Sequence, residues 1–166
     1  MEAHNPSQAR EPAGAKSVCR AAPSNCILVV DDDTDLRRSI ADVLIRSDYQ
    51  VDTAKDGEAG WAALQTRNYD LLITDHQMPK VSGLELVTRL RSARMTLPVI
   101  LASGAMPEEL NRLPWLQLSA TLLKPFAPRE LLGTVKNVLH ATNHAAGQIR
   151  PLPIWRSQPV ADAVEA

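Results

Sequence analysis

Ile27-Leu28-Val29-Val30-Asp31-Asp32-Asp33 runs four apolar residues straight into three acids. Leu71-Leu72-Ile73-Thr74-Asp75 repeats the arrangement with one acid. Apolar runs of this length, rich in Val and Ile, read as strands buried on both faces. If the two strands are neighbours in a parallel sheet, Asp31, Asp32, Asp33 and Asp75 gather at one edge. Two carboxylates about 5 Å apart repel by roughly 3 kcal/mol at an effective dielectric of about 20. Either some of the acids take up protons or a hard divalent cation sits among them.

Working outward, strand and helix patterns alternate. Strands are predicted at 27–31, 50–54, 70–75, 98–102 and 121–124. Helices are predicted at 34–47, 57–67, 83–94 and 128–141, with a short proline-bounded one near 107–113. Leu36, Ile40, Val43 and Leu44 make an apolar stripe on the first helix, and Trp61 and Leu64 with the alanines between them do so on the second. Ser82 and Glu85 fit a capping box, each satisfying the other's backbone N–H. Pro128 suits a first helical turn, where a missing N–H costs nothing. The alternation implies an α/β fold with a parallel sheet and right-handed crossovers. In such sheets a ligand sits beyond the carboxyl ends of the strands. The acids, Ser103 and Lys124 all fall at those ends.

The chain has 166 residues and a formal net charge of −1. No global basicity suggests nucleic acid, and no apolar stretch approaches the about 18 residues of a membrane span. The first 25 residues lack the apolar core of a secretion signal. A cytoplasmic protein is expected, with Cys19 and Cys26 as reduced thiols. Residues 1–24 read as a disordered leader, 25–141 as the globular domain and 142–166 as a flexible, proline-containing tail. Within that tail, Pro151-Leu152-Pro153-Ile154-Trp155-Arg156 could serve as an extended docking peptide, fold back, or stay disordered.

The chemistry available is phosphoryl transfer. Asp75 can accept a phosphoryl group as an acyl phosphate, a step that needs positioning and charge neutralisation more than covalent help. Magnesium fits one or two carboxylates, a carbonyl and waters. Lys124 supplies a positive charge, Ser103 a hydroxyl, and Gly104 room for a close backbone approach.

These residues carry a resemblance. Ile27 to Asp33, Thr74-Asp75-His76-Gln77-Met78-Pro79 with Ser82-Gly83-Leu84-Glu85-Leu86, Leu101-Ala102-Ser103-Gly104, and Leu123-Lys124-Pro125-Phe126 together resemble the receiver domain of two-component response regulators, over about 115 residues in order. The resemblance implies a doubly wound, flavodoxin-like fold with five parallel strands in the order 2-1-3-4-5 and flexible tails. It implies Asp75 as phosphoacceptor, Ser103 as switch hydroxyl and Lys124 as phosphate contact, followed by a cis bond to Pro125. It implies Mg²⁺ (or Mn²⁺) held by Asp32, Asp75 and the Gln77 carbonyl, with Asp31 helping through water. The donor would be a sensor histidine kinase or phosphotransfer protein. Only 26 residues follow residue 140, so a single-domain regulator acting through an unidentified downstream protein is expected, with no direct contact to nucleic acid or membrane and no enzymatic turnover.

Some positions depart from the family pattern. Thr121 stands where the family carries an aromatic ring before the lysine, so Trp115 either supplies the aromatic surface on this face or simply packs. Ala105 cannot orient a water, which favours a moderately long-lived acyl phosphate. Asp33 fits a helix N-terminal acid better than a third metal ligand. His76 reads as a solvent-facing loop residue, Trp61 as core, and Lys80 with Arg89, Arg91 and Arg94 as a solvated face. Arg37, Arg38 and Ile40 are the better kinase-docking candidates. A phosphorelay role for His140 or His144 carries little weight. Two other functions compete with this one: a receiver-shaped module that no longer accepts phosphate, and a haloacid-dehalogenase-type phosphohydrolase built on Asp31 and Asp33. The second lacks its expected residue at Asp35.

Overall fold

A computed structural model describes residues 25–105, 110 and 112–146. The leader 1–24, residues 147–166 and most of the helix expected near 107–113 lie outside the described residues. Five parallel strands form one sheet in the order β2-β1-β3-β4-β5. They are β1 (Cys26–Val30), β2 (Gln50–Ala54), β3 (Leu71–Asp75), β4 (Val99–Ser103) and β5 (Ala120–Leu123). The helices are α1 (Thr34–Ile45), α2 (Gly57–Thr66), α3 (Gly83–Ser92) and α4 (Pro128–Ala146). The predicted strands each lie within one residue of these bounds. The last helix runs five residues past its predicted end. Where a further helix was expected, the described residues show Leu113 N–H donating to the Leu110 carbonyl and a 3₁₀ turn at Pro114–Leu116.

Side-chain alternation along the strands divides the core. Ile27, Val29, Leu71 and Ile73 face a layer formed by Ile40 and Leu44 of α1 and Leu131, Val135 and Leu139 of α4. Leu28, Val30 and Leu72 face Leu64 of α2 and Leu86, Val87 and Leu90 of α3. Every residue of β3 and β4 is buried, as the uninterrupted apolar runs required. Edge strand β2 is half-exposed. Trp61, expected in the core, only flanks it, because Leu64 and the buried Gly57 and Gly60 form the inner face of α2. Ile40, expected on a docking face, is 2% exposed and belongs to the core.

The helix starts show how local sequence aims the chain. Asp33 accepts hydrogen bonds from the N–H groups of Asp35 (2.9 Å) and Leu36 (3.0 Å) and caps α1. These bonds hold its carboxyl below the usual range. It is therefore drawn out of the acid cluster. Ser82 caps α3 by accepting from Glu85 N–H at 3.2 Å. The return half of the expected capping box is replaced: the Glu85 carboxylate pairs with Arg89 at 2.9 Å, one helical turn on. Replacing Ser82 with Ala is expected to cost about 1 kcal/mol in urea unfolding.

Asp56 caps α2 through Ala59 N–H (2.8 Å) and takes Lys80 Nζ at 3.2 Å. The Ala59 bond first, then Lys80, hold its carboxyl below the ordinary range. A depressed folded-state value means stability that is present above the ordinary carboxylate pKa and lost as pH falls through the lowered one. Asp56→Asn keeps a capping oxygen and removes this titration. Its unfolding midpoint is expected to fall less on acidification than the parent's.

Arg91 does not join a solvated face. Its guanidinium donates to the carbonyls of Leu116 (2.8 Å), Met95 (2.8 Å), Leu97 (3.0 Å) and Gln117 (3.2 Å). Those carbonyls lie past the end of α3 and along the turn leading to β5, where no helix or ladder partner reaches them. Burial pushes the Arg91 guanidinium below its ordinary value. Leu116, beside this junction, is 1% exposed, whereas Trp115 remains 49% exposed.

Candidate functional site

The site lies at the carboxyl ends of β1, β3, β4 and β5. Parallel pairing of Val30 with Thr74 and of Asp75 with Ala102 puts Asp31, Asp75 and Ser103 along one rim. Asp31 is 1% exposed and Asp75 7%. Asp31 is held by its own N–H, which donates to the Ala54 carbonyl at 3.2 Å, and by Asp33 N–H, which donates to its Oδ1 at 2.9 Å. The Asp75 Oδ2 accepts Gln77 N–H at 3.0 Å.

Lys124 brings the two acids together. Its ammonium donates to Asp75 Oδ1 at 2.5 Å and Asp31 Oδ2 at 2.9 Å. Lys124 N–H donates to the Ser103 carbonyl at 2.8 Å, which ties the end of β5 to the end of β4. The Lys124-Pro125 bond is cis, as the resemblance implied. Charge counting explains the electrostatics. Burial lifts the Asp31 carboxyl above its usual range, and the Lys124 ammonium works against that lift. Desolvation acts to lower Lys124, but its bonds to Asp75 and Asp31 prevail and hold it above its ordinary value. One cation thus serves two nearly buried anions, and the pocket keeps an excess negative charge.

The four acids do not all converge. Asp31 and Asp75 do, through Lys124. Asp33 is engaged as a cap. Asp32 is exposed at the rim. Among the described residues no three acidic, His or Cys side chains are gathered as a ready metal cluster. The ammonium occupies the inner oxygens that such a cluster would share. The donor chemistry still suits a hard divalent cation, since every candidate ligand is an oxygen and the pocket carries surplus negative charge.

Ser103 is 7% exposed, and its Oγ donates to the Ala105 carbonyl at 2.5 Å. The same oxygen lies 3.4 Å from His76 Nδ1. His76 is therefore half-buried against the end of β4, where a solvent-facing loop residue was expected. Its position directly after Asp75 was a usable signal, because parallel neighbours end side by side. Among the described residues no atom lies where a Cβ of residue 104 would sit, so none of them demands glycine there. Gly83 does have such a demand: a Cβ would fall 2.0 Å from the Asp75 carbonyl oxygen. The sequence marked it only as part of the Ser82–Leu86 stretch of the resemblance, without the reason for glycine. Thr121 is exposed on β5. Arg37, expected to be available for docking, donates to the Asp31 carbonyl at 2.6 Å and to Thr34 Oγ1 at 3.3 Å. Arg38 and His140 are exposed. Cys26 is a free thiol that burial pushes above its ordinary value. No helix among the described residues is long and apolar enough to cross a membrane.

Comparison with known proteins gives a consistent result. The family described as "Response regulator receiver domain" matches residues 27–136. The alkaline phosphatase synthesis transcriptional regulatory protein PhoP of Bacillus subtilis is 36% identical over 122 residues, which is 72% of this chain and 50% of PhoP. The chain thus spans about half the length of the curated relatives it matches. Among solved structures, chemotaxis protein CheY4 of Vibrio cholerae superposes with a TM-score of 0.65 at 29% identity, covering 69% of this chain and 98% of CheY4. Response regulator TrrA of Thermotoga maritima, solved in complex with Mg²⁺-BeF, gives 0.63 at 32% identity, with the same coverage of 69% and 98%.

Proposed function

Because this chain belongs to the response regulator receiver family, we propose that it accepts a phosphoryl group on Asp75 in a magnesium-dependent step and signals through protein contacts. One observation carries this reading. A nearly buried carboxylate at the end of the central strand β3 is held on one side by Gln77 N–H and on the other by the Lys124 ammonium. It is fixed and partly neutralised.

An Asp75 oxygen attacks phosphorus. The bond from phosphorus to the donor's leaving atom breaks, and the leaving group departs with its electron pair, leaving an acyl phosphate on the chain. Gln77 N–H orients the carboxylate. Lys124 stays against the reacting centre and neutralises charge on the incoming phosphoryl oxygens. The Ser103 hydroxyl, on leaving Ala105, can donate to one of those oxygens. Asp31, Asp32, Asp75 and the Gln77 carbonyl would hold Mg²⁺ or Mn²⁺, which when bound supplies further positive charge against the phosphoryl group. The TrrA complex with Mg²⁺-BeF supports that assignment by analogy.

The donor is a phosphohistidine on a sensor kinase or phosphotransfer protein. The product remains attached to the chain, so this is a phosphoacceptor and not a turnover enzyme. Output passes to a downstream protein, with no step on nucleic acid or membrane, in a cytoplasmic setting. Acetyl phosphate with Mg²⁺ is expected to add the mass of one phosphoryl group to the intact protein. Chelation with EDTA should abolish the adduct, and excess Mn²⁺ should restore it. Uptake that proceeds unchanged in EDTA would remove the metal from the mechanism.

A further inference from the structure

The Ser103 hydroxyl has one proton, and that proton is engaged with the Ala105 carbonyl at 2.5 Å. In this arrangement it cannot donate to anything carried by Asp75. The rest of its surroundings hold it there. Ala105 N–H approaches the same oxygen at 3.4 Å, and His76 Nδ1 also lies 3.4 Å from it. With the serine proton committed to Ala105, an attractive contact requires hydrogen on Nδ1, donated to a serine lone pair. The ring is well placed to provide it. His76 N–H donates to the Ala102 carbonyl at 2.8 Å, and its carbonyl accepts Gly83 N–H at 3.1 Å. The backbone bearing the imidazole is thereby pinned between β4 and the start of α3.

We propose that His76 is a positioning residue that retains the Ser103 hydroxyl in its Ala105-facing orientation until a phosphoryl group on Asp75 competes for it. The inference rests on the phosphoacceptor reading. It assigns to the residue after the acceptor a restraint on switching, acting through Ser103 and without touching phosphate. Removing the restraint makes the activated arrangement easier to reach.

The test uses beryllofluoride with Mg²⁺ as the phosphate mimic, in the full chain. Half-saturation is read from amide NMR shifts. His76→Leu is expected to bind roughly threefold tighter than the parent, the effect of losing one long hydrogen bond. His76→Asn, whose amide nitrogen can take the place of Nδ1, is expected to match the parent. In the Ser103→Ala background, His76→Leu is expected to change nothing. Equal behaviour of the Leu and Asn variants, or a Leu effect that persists with Ser103→Ala, overturns the proposal. A parent that binds no beryllofluoride counts against the phosphoacceptor reading itself. The restraint is then judged from imidazole nitrogen shifts in the unliganded protein. The Nδ1–H form in the parent, lost in Ser103→Ala, supports it, and the Nε2–H form in the parent overturns it.

Discussion

Asp75→Asn is expected to keep its unmodified mass after incubation with acetyl phosphate and Mg²⁺, under conditions that phosphorylate the parent. The carboxamide retains an oxygen for Lys124 or Gln77 N–H to hold, so the site keeps its shape. It loses the anionic nucleophile, and an amide oxygen cannot form a stable acyl phosphate. The expected drop in uptake is roughly a hundredfold or more. Asp31→Asn provides the contrast. Asp31 is also buried and touches the same ammonium at 2.9 Å, but its Oδ1 is taken by Asp33 N–H at 2.9 Å. Its replacement is expected to slow uptake while leaving the adduct on Asp75. An adduct that persists in Asp75→Asn and disappears in Asp31→Asn would transfer the nucleophile to the first strand and revive the phosphohydrolase alternative.

Gly83→Ala is expected to be the most disruptive single-methyl change near the site. A Cβ there would sit 2.0 Å from the Asp75 carbonyl oxygen, 2.9 Å from its carbonyl carbon and 3.2 Å from Thr74 Oγ1. No flexible side-chain tip can yield at the closest contact. The Asp75 backbone is locked in the sheet opposite Ala102, and α3 is anchored by the buried Leu86, Val87 and Leu90. Either the helix start or the end of β3 must shift. Overpacking against main chain costs roughly 3 kcal/mol or more. Because the crowded group belongs to Asp75, phosphoryl uptake is expected to fall together with the urea midpoint. Gly104→Ala is the control. Among the described residues no atom lies within 4 Å of its Cβ position, and a change within about 0.5 kcal/mol is expected. Equal stability of the two variants would show that the α3–β3 junction can relax.

The correspondence between residues and fold is closest in the central strands. Buried parallel strands need apolar side chains on both faces, so β1, β3 and β4 appear as unbroken runs. The acids that end two of those runs, Asp31 and Asp75, lie where a parallel sheet places its site. Helix caps are equally local, and Ser82 could be identified from its neighbours. Misassignments arose where a side chain's role depends on distant chain. Arg91 looked like one more helix-surface cation, but it meets the carbonyls of Leu116 and Gln117, which follow β4, 25 and 26 residues further along the chain. Ile40 looked available for docking, but α4 covers it together with its own strand face.

For this protein, periodicity and strand-end acids determined the α/β class, the parallel sheet and the rim at which chemistry is possible. These follow from burial, which acts residue by residue and leaves a local pattern. Tertiary structure alone decided that Lys124 bridges Asp31 and Asp75, that His76 lies against Ser103, and that Gly83 must remain bare. Each of these depends on how sheet pairing and helix packing orient specific atoms within a few ångströms, and short-range sequence spacing does not encode that orientation.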